Sequence, residues 1–380
     1  MGASALDEAA IRRVFQHKGR PLTDPLIVHV PSAAAALPIL SLTPGTRPVF
    51  ELLARLFWPG GLTLVLPAAP STPPLLTANT GWVGVRCPSH PLALRLLSLC
   101  GVPVAAPSAN KFGHVSPTSA RHVLADLGEE PVYVLDGEDR KEAFAVPPCQ
   151  LGIESTVVKV VERAGGGGEL VVLRQGAVAA REIERAAAKC GGGGGAPPWT
   201  ARVESNHARF NPPDAGPPEE EAQPPRKRRK QSGGGGRPDE NHQDENQSAP
   251  GQLLTHYAPA GLECSLVRLP GESAGGGGPG HDVSRRTAAE LLAEPAVVVD
   301  YQGRLAEAGI NGTHPGVVGY KNLGADPRAA ARGLFAALRW AEGVPGGRRV
   351  LLRDLGGEEG GEGVNDRMYR AASGKVVYLD

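Results

Sequence analysis

The chain has no excess of charge of either sign. Its 40 Lys and Arg balance 40 Asp and Glu, and its isoelectric point is near 7.2. That argues against a globally basic nucleic-acid binder, which holds phosphates with surplus cations, but leaves a local basic patch open. Cysteine is scarce and scattered. Cys87, Cys100, Cys149, Cys190 and Cys264 form no Cys-x-x-Cys pair and are odd in number, which argues against a disulfide framework or a zinc site and for reduced thiols. No apolar run reaches the roughly 18 residues of a membrane span, and the first residues lack the apolar core of a secretory signal. A cytoplasmic location is the default expectation. Nucleotide fingerprints are missing as well: there is no Walker A motif and no strand–GxGxxG–helix. No Ser/His/Asp or Cys/His spacing marks a covalent nucleophile.

What is present is glycine and proline, 51 and 36 residues, densest in one stretch. Residues 190–248 hold two polyglycine runs, many prolines and long polar runs, the composition of a disordered linker. Within it, Arg226-Lys-Arg-Arg-Lys230 reads equally as a solvated loop or as an import signal or RNA contact. Residues 1–189 alternate short apolar strands with helical patterns. Strands are expected at 26–30, 62–66, 82–86, 102–106, 132–135, 156–161 and 170–173, and helices at 48–57, 91–99, 119–127 and 181–189. A capping box at Ser4 to Asp7 is expected to open a first helix with Leu6, Ala10 and Val14 on one face, closed by Gly19 and Pro21. Residues 249–260 form a short ordered motif. Residues 261–380 read as a smaller second α/β domain, with strands at 265–269, 296–300, 316–319 and 349–353 and helices at 284–292, 327–340 and 364–372. The expected class is α/β, with helices on the faces of its sheets.

The chemistry is carried by polar residues at element ends. After the strand at 102–106 come Pro107-Ser-Ala-Asn110, a Gly and Ser116-Pro-Thr118, a loop of hydroxyls, an amide and backbone N–H groups suited to an anion. Lys18 and Arg20 flank the helix end at Gly19; they read either as partners of the helix dipole or as cations aimed at phosphate or carboxylate. His29 on the first strand reads more readily as a core histidine than as a ligand. Arg86 closes a buried strand, which is costly unless the charge is paired or faces a cleft, and Arg suits bidentate capture of an anion. Ser155 opens one strand and Arg174 ends the next. Arginines at separate element ends, with serines nearby, suit an anionic nucleotide.

Lys18-Gly-Arg-Pro-x-x-Asp-Pro-Leu-Ile-Val-His29, Phe57-Trp-Pro-Gly-Gly-Leu-Thr-Leu-Val65, Val85-Arg-Cys-Pro-Ser-His-Pro91, Ala106-Pro-Ser-Ala-Asn110, Ser116-Pro-Thr118, Gly152-Ile-Glu-Ser-Thr-Val157 and Leu173-Arg-Gln-Gly176 resemble, in order, the motifs of the YrdC-like threonylcarbamoyl-AMP synthase family. Ala249-Pro-Gly-x-x-x-x-His-Tyr-Ala-Pro259, Leu334-Phe-Ala-Ala-Leu-Arg339 and Gly363-Val-Asn-Asp-Arg-Met-Tyr-Arg-Ala-Ala-Ser373 resemble the linker and C-terminal domain of its two-domain members. The resemblance implies a twisted open sheet with a concave cleft and a Rossmann-like second domain. It implies a synthase joining threonine, bicarbonate and ATP, with Mg²⁺, into threonylcarbamoyl-adenylate and pyrophosphate. Partner enzymes would then modify tRNA next to the anticodon. It puts His29, Arg86, Ser108 and Ser155 at threonine, and Arg20, Asp24, Asn110, Ser116 and Arg174 at ATP. Lys18 adds positive charge beside them, and Tyr257 folds over the nucleotide as a lid.

Three departures accompany the resemblance. The family's opening strand and Pro-Thr-Glu-Thr-x-Tyr-Gly-Leu motif are expected before Met1, so the chain reads as N-terminally truncated. Asp24 stands where Asn is usual, and a carboxylate there repels phosphate unless Mg²⁺ or an Arg intervenes. Trp82 stands where a Thr is usual, and its indole could stack on adenine or block it. Two other readings stay open: an RNA-binding module that holds double-stranded RNA or tRNA without catalysis, and an inactive truncated synthase.

Overall fold

The structure, a computed structural model, describes residues 1–137, 149–190, 198–204, 256–272 and 282–380. The linker cluster Arg226 to Lys230 and the opening of the 249–260 motif lie outside the described residues.

The first sheet has eight strands: β1 (Ala3–Ser4), β2 (Ile27–His29), β3 (Leu62–Pro67), β4 (Trp82–Arg86), β5 (Val104–Ala105), β6 (Thr156–Glu162), β7 (Gly168–Arg174) and β8 (Trp199–Val203), in the spatial order β1-β5-β2-β4-β3-β6-β7-β8. It is a mixed sheet. β2 runs parallel to β4, β3 antiparallel to β4 and parallel to β6, and β7 antiparallel to β6. The two-residue period of a strand sorts its side chains onto two faces. Val28, Leu62, Leu64, Val83, Val85, Val158, Leu170 and Val172 enter the main core, with Phe15, Phe50 and Leu53 from the helices Glu8–Lys18 and Thr46–Phe57. The intervening Ile27, Val65, Val157, Val171 and Leu173 form a separate small cluster on the other face. Gly84 is the bare point of that face: a Cβ there would sit 3.4–3.8 Å from Thr63, Ile27 and Val65.

The second sheet is wholly parallel: β9 (Glu263–Arg268), β10 (Asp282–Arg286), β11 (Ala296–Asp300), β12 (Val317–Asn322), β13 (Arg349–Arg353) and β14 (Lys375–Leu379), in the order β10-β14-β9-β13-β11-β12. Its central strands are near-continuous apolar runs, as burial on both faces requires. The helices Pro327–Glu342 and Glu362–Ala371 bring Leu334, Phe335, Leu338, Val364 and Met368 onto one face. This is the α/β class that the sequence predicts. Among the described residues no helix is long and apolar enough to cross a membrane.

Several local expectations are corrected. The first helix is capped by Asp7, which accepts from Ala10 N; Ser4 belongs to β1, and Leu6 is exposed. Among the described residues, 132–135 join no ladder: Tyr133 and Leu135 are exposed, and the stretch lines a cavity of about 660 Å³ that touches none of the candidate site residues. β8 lies inside the stretch expected to be linker, because Trp199 is buried against the main core and its strand pairs with β7. The helix expected over 284–292 is the strand β10 followed by a four-residue helix, Ala288–Leu291. Pairing with β14 overrides helical pattern up to Arg286, and Thr287 caps what remains.

Candidate functional site

β2 and β4 end, and β3 and β6 begin, along one edge of the first sheet, and His29 lies opposite Arg86 in the ladder. By strand parity His29, Arg86 and Ser155 share the face of Ile27, Gly84 and Val157. The Ser155 hydroxyl confirms this, lying 2.7 Å from Thr63 Oγ1 on β3. Arg86 donates from Nε to Gly60 O at 2.9 Å. Arg174 closes β7 beside a register shift in β6. It donates Nε and Nη2 to Ser155 O (3.1 and 2.9 Å) and Nη2 to Ser155 Oγ (3.1 Å). Burial, then the Arg86 cation, pushes the His29 imidazole down to about 3, so it is neutral at physiological pH.

The loop after β5 supplies the second group. Lys18 Nζ donates to Ser108 O and Asn110 O, both at 2.6 Å, tying the end of the first helix to this loop. Burial, then the like charge of Arg20, lowers Lys18 to about 7. Arg20 donates Nε to Asp24 O at 2.9 Å and Nη2 to Pro25 O at 2.8 Å, with Asp24 Oδ1 at an ion-pair distance of 2.8 Å from Nη2. An Arg therefore does stand beside the Asp24 carboxylate. Asn110 spends its amide N–H groups on Lys111 O and His114 O, and Ser116 donates to Glu154 Oε1 at 2.9 Å.

The two groups form one electrostatic unit. Burial raises the Asp24 carboxyl while Arg20, Arg174 and Lys18 oppose the shift, and the Arg174 charge acts on Arg86. Tyr257 joins the same environment: burial, then Glu154, pushes its phenol up to about 12, and its ring packs on His256 and Phe335. Its φ of +66° is rare for a side-chain-bearing residue and costs about 1–3 kcal/mol, held by this packing. Four buried side-chain polar atoms without a hydrogen-bond partner among the described residues lie here: His29 Nδ1, Asn110 Oδ1, His256 Nδ1 and Arg367 Nη2. Such atoms are uncommon in a folded core and mark a place built for something else.

All the residues expected at the site are thus drawn into this region. Trp82 is not. It pairs with Pro67 at the far end of β4, four residues and about 13 Å of strand from Arg86, with Lys159 Nζ 4.1 Å from its ring centre. Sequence reasoning gave no role to Glu154 or to Arg367, which meets it from the second domain. Both sit in quoted motifs, but their pairing spans 213 residues and only the fold shows it.

A family model for the Sua5, YciO and YrdC proteins, described as "Telomere recombination", matches residues 1–176, and a model described as the C-terminal domain of threonylcarbamoyl-AMP synthase matches residues 220–373. A threonylcarbamoyl-AMP synthase of Pyrococcus abyssi is 41% identical over 162 residues, 43% of this chain and 44% of that protein. One of Nitrosococcus oceani is 31% identical over 144 residues, 38% of this chain and 76% of that protein. The crystal structure of P. abyssi Sua5 complexed with L-threonine superposes with a TM-score of 0.70 at 27% identity, covering 100% of this chain and 89% of that one. The sequence alignment thus spans less than half of the P. abyssi relative.

Proposed function

The chain belongs to the Sua5, YciO and YrdC family, and from that premise we propose that it is an L-threonylcarbamoyladenylate synthase acting on threonine, bicarbonate and ATP. The observation that carries this reading is the meeting of Arg86, Arg174, Arg20 and Lys18 with neutral His29 and three serines on one sheet edge and its facing loop. Two anions must meet in the reaction. The threonine amine takes up bicarbonate with loss of water to give a carbamate. A carbamate oxygen then attacks the α-phosphorus, the bond to the β-phosphate oxygen breaks, and pyrophosphate leaves. Buried cations lower the cost of that encounter, and no covalent enzyme intermediate is needed.

In this reading Arg86 and Ser155 hold the threonine carboxylate, with His29 and Ser108 beside it. Lys18, Arg20, Asn110, Ser116 and Arg174 hold ATP, and Asp24 orients Arg20. Tyr257 shields the mixed anhydride from water. The site carboxylates Asp24 and Glu154 already engage arginines, and among the described residues no group of three or more His, Cys, Asp or Glu is placed for a metal. We take Mg²⁺ to enter with the ATP phosphates. The product would serve the transferases that modify tRNA next to the anticodon, and we take the compartment to be the cytoplasm.

Calorimetry separates the two halves of the site. Arg86→Ala is expected to lose threonine binding and keep ATP binding, and Asn110→Ala the reverse. Retention of both ligands by both variants would contradict the assignment.

A further inference from the structure

The sheet edge that carries Ser155 and Arg174 is also the seam between the two domains, and the seam is closed by glycines. A Cβ on Gly152 would lie 2.4 Å from Arg332 Cα of the 327–342 helix, and one on Gly363 would lie 2.7 Å from Ile153 Cδ1 and 2.9 Å from Gly176 O. Backbone therefore meets backbone where the 152–156 and 174–177 segments touch the second domain.

Arg367 crosses this seam. It lies on the 362–371 helix with none of its side chain exposed. Nε donates to Glu154 Oε2 at 3.0 Å, and Nη1 donates to Gln175 O and lies 2.9 Å from Asp366 Oδ2. The other oxygen of Glu154 accepts from Ser116 Oγ at 2.9 Å. Glu154 adjoins Ser155 in the chain, and Gln175 adjoins Arg174, whose guanidinium holds Ser155. One guanidinium thus grips the two segments that bear Ser155 and Arg174 and reaches Ser116 through the Glu154 carboxylate, and its Cζ stands 5.9 Å from the Tyr257 ring centre.

We propose that Arg367 is a positioning residue for the adenylate-forming site, by which the second domain sets the placement of Ser116, Ser155 and Arg174 through Glu154 and Gln175. This rests on the synthase reading above. The planar fork of Arg supplies donors in several directions at fixed angles, which Lys cannot reproduce. Losing it takes the paired guanidinium from the half-buried Glu154 and frees Ser116 to turn.

The test uses the full chain with Arg367→Met, Arg367→Lys, Glu154→Gln and the double variant Arg367→Met/Glu154→Gln. Glu359→Gln, which removes the exposed interdomain pair with Arg181, serves as the comparison. Steady-state rates are measured against ATP and threonine, alongside thermal midpoints. Arg367→Met and Arg367→Lys are expected to lower kcat/KM for ATP by about 100-fold, the loss that a displacement near 1 Å produces. Glu154→Gln should do the same, the double variant should be no worse than either single, and Glu359→Gln should keep wild-type values. A merely structural arginine would lower the midpoint and leave KM and kcat of the folded fraction unchanged, which overturns the proposal, as do additive losses in the double variant. If the wild-type chain makes no threonine-dependent product, the synthase reading fails and takes this inference with it; an active wild type with unaltered Arg367 variants sinks this inference alone.

Discussion

Lys18 shows how far a single side chain can be taken from its ordinary chemistry. Burial and the Arg20 charge hold it near 7, so at pH 8 most of it is neutral. A polyphosphate beside it stabilises the ammonium and raises that value. ATP binding at pH 8 is therefore expected to take up protons. Calorimetry in buffers of different ionisation enthalpy should show a buffer-dependent heat that disappears in Lys18→Met; a wild-type heat independent of buffer contradicts the assignment. Lys18 and Arg20 were legible in the sequence as a pair of cations at a helix end, but with a dipole role as the competing reading. Both are buried on backbone carbonyls, Lys18 on Ser108 O and Asn110 O and Arg20 on Asp24 O and Pro25 O, which a role confined to the helix dipole does not require. Asp24 was legible as an oddity, and its answer, an Arg one helical turn away in sequence, was already printed four residues upstream.

At the scale of elements, the loop from Asn110 to Ser116 is fixed from the second domain. His114 is held between Asp126 and Glu342, with Nδ1 2.9 Å from Asp126 Oδ2 and Nε2 2.6 Å from Glu342 Oε1. Arg339 makes paired bonds to Asp126 at 2.8 and 2.9 Å and donates to Val115 O. The hydrogen bond to Glu342, aided by that to Asp126, raises the His114 imidazole against its burial. A histidine raised on folding contributes stability that is complete below its unfolded value, about 6.5, and fades as pH climbs through the folded value. The thermal midpoint of the wild type should thus fall as pH rises above about 6.5, and His114→Gln should fall less. Parallel curves would show that His114 is not the titrating group. None of this clamp was legible, since the helix bearing Arg339 and Glu342 lies more than 200 residues from the loop. The strands and helices themselves were legible wherever apolar periodicity was strong. It failed at 132–135, where a short apolar run has no partner strand among the described residues, and at Asp282–Arg286, where a mostly exposed strand pairs with its neighbour β14.

At the scale of the molecule the two sheets share their contents. Val115 and Tyr257 are buried in the core of the second domain, although one follows β5 and the other opens the chain's return from the linker. Gly152, Gly176 and Gly363 let the backbones meet along the edge that carries Ser155. The motifs could name a first domain, a linker and a second domain, because each leaves its own pattern in composition. They could not say that the second domain reaches the site, since a seam of glycines and one buried Arg has no periodic signature. In the proposed reaction these cations, serines and a neutral histidine bring a carbamate to the α-phosphorus of ATP. Pyrophosphate release by the full chain with ATP and Mg²⁺, omitting threonine and bicarbonate in turn, tests that reaction. Release that requires both is the predicted result. Release from ATP alone, or none with every substrate present, would contradict it.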